Sequence, residues 1–143
     1  MTSTKISCWL DSTNYDADLN MKVCVDDQKV FDNVINKPTE LVFEINDDPG
    51  SHCLRFEMQN KTFDHTQISE SGEIVSDARL IVKDIQFEGI ELGYLFTEMA
   101  VYTHNFNGTG ETVNQSFYGE MGCNGTVALQ FETPIYQWLL KNM

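Results

Sequence analysis

The chain has 143 residues, 41% of them hydrophobic, with 9 phenylalanines and only 3 prolines. This suits one domain spanning 1–143 with a core of its own and excludes a disordered tract. The formal net charge of −13 excludes direct binding to nucleic acid or to an anionic membrane surface, both of which need clustered Lys and Arg.

The first predicted strand covers residues 6–10, where Ile6, Cys8 and Leu10 alternate with Ser7 and Trp9. Residues 12–20 are polar and read as a loop. Residues 21–25 alternate again, and Asp26-Asp27 offers a tight turn into residues 29–31, which predicts a hairpin. In residues 41–45, Leu41, Phe43 and Ile45 share one parity. In residues 52–59, Leu54, Phe56 and Met58 do the same, with His52 on the inward parity. Between these runs stands Asn46-Asp47-Asp48-Pro49-Gly50. Proline presets φ and glycine accepts φ > 0, so the spacing predicts a tight reversal joining a central hairpin.

Residues 60–77 form the longest polar stretch, with a short strand expected at Ile74-Val75. Residues 79–87 carry apolar side chains on both parities, which predicts a strand covered on both sides or one that changes face at a bulge. A turn of helix fits residues 93–99. Residues 117–125 are punctuated by glycine, Val127, Leu129 and Phe131 mark a last strand, and Pro134 stands where a closing helix over residues 135–140 could begin. Seven to nine short strands separated by turn signals predict an all-β antiparallel sandwich or jelly roll with minimal helix.

The chemistry-bearing residues are scattered. There is no G-x-S-x-G elbow, phosphate loop or H-E-x-x-H, and Glu111 and Glu120 read as solvated loop carboxylates rather than an acid–base pair, so no enzyme is expected. Asn60, Asp64, Glu70 and Asp77 offer hard oxygen ligands of the kind calcium takes, without EF-hand spacing; calcium is the one cofactor they suggest, and loop carboxylates in so acidic a chain are usually unliganded. Trp9, Tyr94, Tyr102 and Tyr118 are candidate stacking platforms for sugar rings, each equally suited to a core. Ile135, Tyr136, Trp138 and Leu139 are too apolar for a free tail and either close the chain's own core or anchor it to a partner. Cys8, Cys24, Cys53 and Cys123 form no C-x-x-C pair. Met1-Thr2-Ser3-Thr4-Lys5 lacks the basic-then-apolar order of a signal peptide, so reduced thiols and an intracellular origin, with release by lysis, are expected. The four N-x-[ST] sequons then read as Asn- and Thr-rich loops.

Two resemblances follow from quoted segments. His52-Cys53-Leu54-Arg55-Phe56-Glu57-Met58-Gln59-Asn60-Lys61-Thr62, with Gly72-Glu73-Ile74-Val75 and residues 80–93, resembles small virion structural proteins of tailed bacteriophages, marine and cyanobacterial ones especially. So does the closing stretch Phe117-Tyr118-Gly119-Glu120-Met121-Gly122-Cys123-Asn124-Gly125-Thr126. The first half, through its strand with H-x-L-x-F order followed by Asn, also resembles calcium-dependent xylan-binding carbohydrate-binding modules. The first resemblance implies a non-catalytic virion protein, made in the host cytoplasm and attached as capsid decoration or as a tail or baseplate part, with other virion proteins or further copies of itself as partners. The second implies a glycan-binding β-sandwich.

Overall fold

The computed structural model describes residues 3–59, 66–68, 74–105 and 110–142. In chain order the elements are β1 (Ser3–Ser12), a 3-10 turn (Tyr15–Ala17), β2 (Asn20–Val25), β3 (Gln28–Val34), β4 (Thr39–Asn46), β5 (Gly50–Gln59), β6 (Thr66–Ile68), β7 (Ile74–Asp77), β8 (Leu80–Phe87), β9 (Ile90–Glu91), α1 (Tyr94–Met99), β10 (Val101–His104), β11 (Val113–Ser116), β12 (Glu120–Met121), β13 (Gly125–Thr133) and α2 (Ile135–Asn142). The expected antiparallel sandwich is present. One sheet runs β12-β8-β1-β4 with β9 also on β8, the other β11-β10-β13-β5-β2-β3, and β6 pairs β7 apart from both. Neither helix among the described residues is long and apolar enough to cross a membrane.

Alternation along each strand decides which side chains enter the space between the sheets. On β1, Ile6, Cys8 and Leu10 point inward, and on β5 Leu54, Phe56 and Met58 do. Phe131 on β13 is the junction of the core. Its ring meets Phe87 of the opposite sheet (centroids 5.0 Å apart, 67°), His52 (5.3 Å) and Trp138 of α2 (6.2 Å). A second aromatic chain, Phe56–Phe96–Phe117–Tyr102, ties α1 to the larger sheet. Such edge-on ring pairs add to the burial of the rings themselves. Burial also pushes the Cys8 thiol up to about 12, and no disulfide joins the four cysteines.

The central hairpin is not formed. β4 pairs only with β1, whereas β5 lies in the other sheet between β13 and β2. Leu41 is therefore buried from the opposite sheet to Leu54 and Phe56 instead of lying beside them, and the Asp-Pro-Gly segment is a corner between sheets. Period-two alternation is identical for strands that pair and strands that stack, and so could not separate the two cases. The corner is bolted down by polar contacts: Asp47 Oδ1 accepts from Thr4 Oγ1 on β1 and from the Ile135 amide (3.1 Å) at the start of α2. The Asp48 carbonyl accepts from Thr133 Oγ1.

The expected β2–β3 hairpin is present, with Val25 opposite Gln28. Thirteen strands among the described residues exceed the seven to nine expected, because several are two to four residues long. β10 and β11 lie in residues 100–116, where the sequence pattern predicted no strand. There Gly125 matters: a Cβ at that position would lie 2.4 Å from the Thr103 carbonyl oxygen, so glycine lets β13 enter against β10.

Phe131→Ala should cost about 3–5 kcal/mol, the range for a buried aromatic whose cavity cannot collapse. Urea unfolding measures it, and a cost near that of a surface change would remove Phe131 as the junction.

Candidate functional site

The outward parity of β1 carries Lys5, Ser7, Trp9 and Asp11. Trp9 stands between Glu40 of β4 and Lys83 of β8, with 37% of its surface exposed. Beside it the ladder slips: Ser7 pairs with Gln86 but Trp9 with Lys83, so Asp84 and Ile85 together oppose Cys8. This bulge is the face change predicted for residues 79–87. Leu80 and Val82 are buried before it, Ile85 and Phe87 after it. Asp84 takes φ 55°, a left-handed conformation that aspartate tolerates better than most residues. The slip leaves Asp84 exposed beside the outward row.

A groove of about 260 Å³ results, lined by Ser7, Trp9, Glu40, Asp84, Gln86 and Glu91 together with Cys8. The outer edge of β8 borders a second hollow. β12 covers that edge at Leu80 and Ile81, and β9 covers it at Gln86 and Phe87. The notch between them holds about 150 Å³ and is bordered by Lys83, Asp84, Glu91, Thr97 and Tyr118. Asp84 and Glu91 line both hollows, which makes them neighbours across a shared wall, with Trp9 in one and Tyr118 in the other. Among the described residues, Glu40, Asp84 and Glu91 make no ion pair and no side-chain hydrogen bond. The cleft thus offers an indole face, open carboxylate and amide acceptors and a hydroxyl. That is equipment for recognition. The sequence reading found Trp9 but missed Glu40, Asp84, Gln86 and Glu91. The bulge signal, placed opposite the outward parity of β1, could have pointed to Asp84.

The other aromatic candidates divide. Tyr94 and Tyr118 are 85% and 80% exposed, and Tyr118 borders the cleft. Tyr102 corrects the expectation: it is buried against Phe117 and His104, and its hydroxyl accepts the Cys123 amide (2.9 Å) and donates to the Cys123 carbonyl, so it is no sugar platform. For the C-terminal residues, core closure is the alternative found. Ile135, Trp138 and Leu139 close the chain's own core, because α2 turns that face onto β13, and only Tyr136 of the four is exposed. Glu120 pairs with Arg79 (3.1 Å), while Glu111 is exposed in the approach to β11.

Of the calcium candidates, Asn60, Asp64 and Glu70 lie outside the described residues, and Asp77 ends β7 opposite Thr66. Among the described residues no group of three or more His, Cys, Asp or Glu could hold a metal ion.

One constellation has the outline of a hydrolytic triad. Asp26 Oδ2 lies 2.8 Å from His52 Nδ1, and His52 Nε2 lies 3.0 Å from Thr133 Oγ1. The residues come from three strands or turns that the sequence keeps 26 and 81 positions apart, so no local motif announced them. The hydroxyl is buried and gives its one proton to the Asp48 carbonyl. That proton is therefore engaged away from His52 Nε2 and is not held for transfer to the ring. The line works as a brace between the β2–β3 turn, β5 and the end of β13. Desolvation pushes the Asp26 carboxyl up, but the His52 ring, the Cys53 amide (2.9 Å) and the nearby His52 and Arg55 charges outweigh it and hold the carboxyl below its ordinary range.

No protein-family model and no curated protein matches the chain. One solved structure does. It is the selenomethionine form of vCBM60, described in work on a circular permutation that links two families of calcium-dependent carbohydrate-binding modules. The TM-score is 0.50 at 12% identity, over 88% of this chain and 89% of that one. At this identity the likeness establishes a shared fold: a carbohydrate-binding-module-like β-sandwich.

The brace yields a pH prediction. A carboxyl whose folded pKa is depressed contributes stability above its unfolded value and loses it as pH falls through the folded one. Asp26→Asn should therefore lower the melting temperature at neutral pH, and the gap from the parent should close below pH 3.8. Melting curves across that range check it; a gap that stays constant would remove the charge from the account.

Proposed function

We propose that the chain is a non-catalytic carbohydrate-binding β-sandwich whose ligand lies against Trp9 on the outer face of the β12-β8-β1-β4 sheet. The observation that carries this reading is the half-exposed indole set in a groove beside open hydrogen-bond acceptors. A sugar ring presents C–H groups on its faces and hydroxyls around its rim. A flat aromatic edged by carboxylate and amide oxygens is complementary to both. The likeness to a carbohydrate-binding module supports the reading as an analogy of fold. Calcium belongs to the proposal only through Asn60, Asp64, Glu70 and Asp77, at a different part of the chain from Trp9.

Trp9→Ala should abolish binding on a glycan array and in titration calorimetry while changing unfolding stability by no more than about 0.5 kcal/mol, as is usual for a surface substitution. Retained binding would refute the Trp9 site. Chelator and added calcium form the second arm. Loss of both binding and melting temperature on chelation would move the site to residues 60–77.

A role on a phage particle is the second reading, and one feature favours it beyond the sequence resemblance. Ile90, Tyr136, Leu139 and Leu140 line an apolar hollow of about 430 Å³, and Leu140 is 83% exposed. Open apolar patches of this kind mark docking surfaces. The two readings are compatible, since a particle-bound protein can bind sugar. Mass spectrometry of purified particles should then detect the chain; its presence in infected-cell lysate alone would overturn the reading.

A further inference from the structure

We propose that the Trp9–Tyr118 cleft selects amine-bearing glycans, a chain of cationic amino sugars, over neutral and acidic ones; this rests on the carbohydrate reading above and names its ligand class. The two hollows are neighbours that share Asp84 and Glu91 in their linings, so a linked chain laid across both would meet Trp9 in one and Tyr118 in the other. The charge around it is predominantly negative. Glu40 flanks Trp9 on β4, Asp84 stands on the bulge, and Glu91 pairs with Gln86 on the other side. Lys83, opposite Trp9 and bordering the notch, is the one cation among the described residues that line the two hollows, so carboxylates outnumber cations there three to one. No described partner neutralises the three carboxylates.

The consequence is physical. An ammonium held near an indole face gains from the ring quadrupole, and carboxylates around the same ring add direct Coulomb attraction. A neutral sugar keeps the stacking and the hydroxyl bonds but gains neither term. A uronic acid or sulfated sugar places like charge against like, in a protein whose overall charge is already −13.

The test uses the intact chain and three sets of soluble oligosaccharides matched in length: glucosamine oligomers, their N-acetylated counterparts and uronic acid oligomers. Titration is done at mildly acidic pH, where the amine keeps its proton. The amine-bearing set should bind roughly tenfold tighter than the N-acetylated set at low salt, with the margin shrinking as salt rises, and the uronic set should bind weakest. Affinity should increase from monomer to dimer, and Tyr118→Ala should remove that increase. The combined change Glu40→Gln, Asp84→Asn and Glu91→Gln should equalise the amine-bearing and N-acetylated sets without losing either. Asparagine accepts the left-handed backbone at 84, and a melting curve verifies that the variant folds. Equal binding of amine-bearing and N-acetylated oligomers by the parent chain, or tight binding of uronic acids, overturns the inference while leaving carbohydrate binding intact. If none of the three sets binds and a broad glycan array is also blank, carbohydrate binding itself fails.

Discussion

The corner between β4 and β5 is the constraint on which the rest of the sandwich depends. It is the place where the chain leaves one sheet for the other, and a corner of this kind leaves backbone groups outside either ladder. Asp47 and Asp48 answer that problem by binding Thr4, Thr133 and the first amide of α2. The same contacts fix where β13 ends and where α2 begins. They therefore set the height at which Trp138 and Leu139 meet the core. Thr133 extends the network through His52 to Asp26, so the β2–β3 turn is tied to the same end. Once that end is pinned, Phe131 is held where Phe87, His52 and Trp138 can all reach it.

The polar end and the candidate cleft have opposite economies. At the corner, polar groups are consumed by one another, and the hydroxyl of Thr133 and the ring of His52 have no capacity left for a ligand. On the outer face of β1 the carboxylates of Glu40, Asp84 and Glu91 are left without a described partner, and Trp9 keeps part of its ring in solvent. Stability favours the first arrangement and recognition the second. An unsatisfied row beside an exposed tryptophan has no evident role in holding the sandwich together.

Much of the sandwich was legible because alternation reports burial directly. The parity of Ile6, Leu10, Leu54 and Phe56 named core residues, and the mixed parity of residues 79–87 offered a bulge as one of two readings. What alternation does not carry is which strand lies beside which. The Asn46–Gly50 corner has the composition of a hairpin turn, and only the long-range partners of β5, namely β13 and β2, exclude one. The same limit explains Tyr102. A tyrosine in a short strand has one neighbour above and one below in sequence, but its burial depends on Phe117 and on the backbone of Cys123. The cleft suffered most, since Trp9, Glu40, Asp84 and Glu91 come from four strands and meet only through register. The apolar C-terminal residues could be read either way because a helix that closes a core and one that docks on a partner use the same side chains.

The bulge at Asp84 joins these two levels. Without it, β8 would keep one parity throughout, and Ile85 and Phe87 would leave the core face that Leu80 and Val82 occupy. With it, both halves of the strand stay inward, at the cost of one residue forced into a left-handed conformation beside Trp9. Aspartate meets that demand and also brings a charge. On the opposite edge of β8, between β12 and β9, lies the notch that reaches Tyr118 and shares Asp84 with the groove. A single irregularity therefore keeps the core continuous and sites a carboxylate beside the indole. Bulges recur beside functional sites for this reason: they re-aim a side chain without breaking the sheet that supports it.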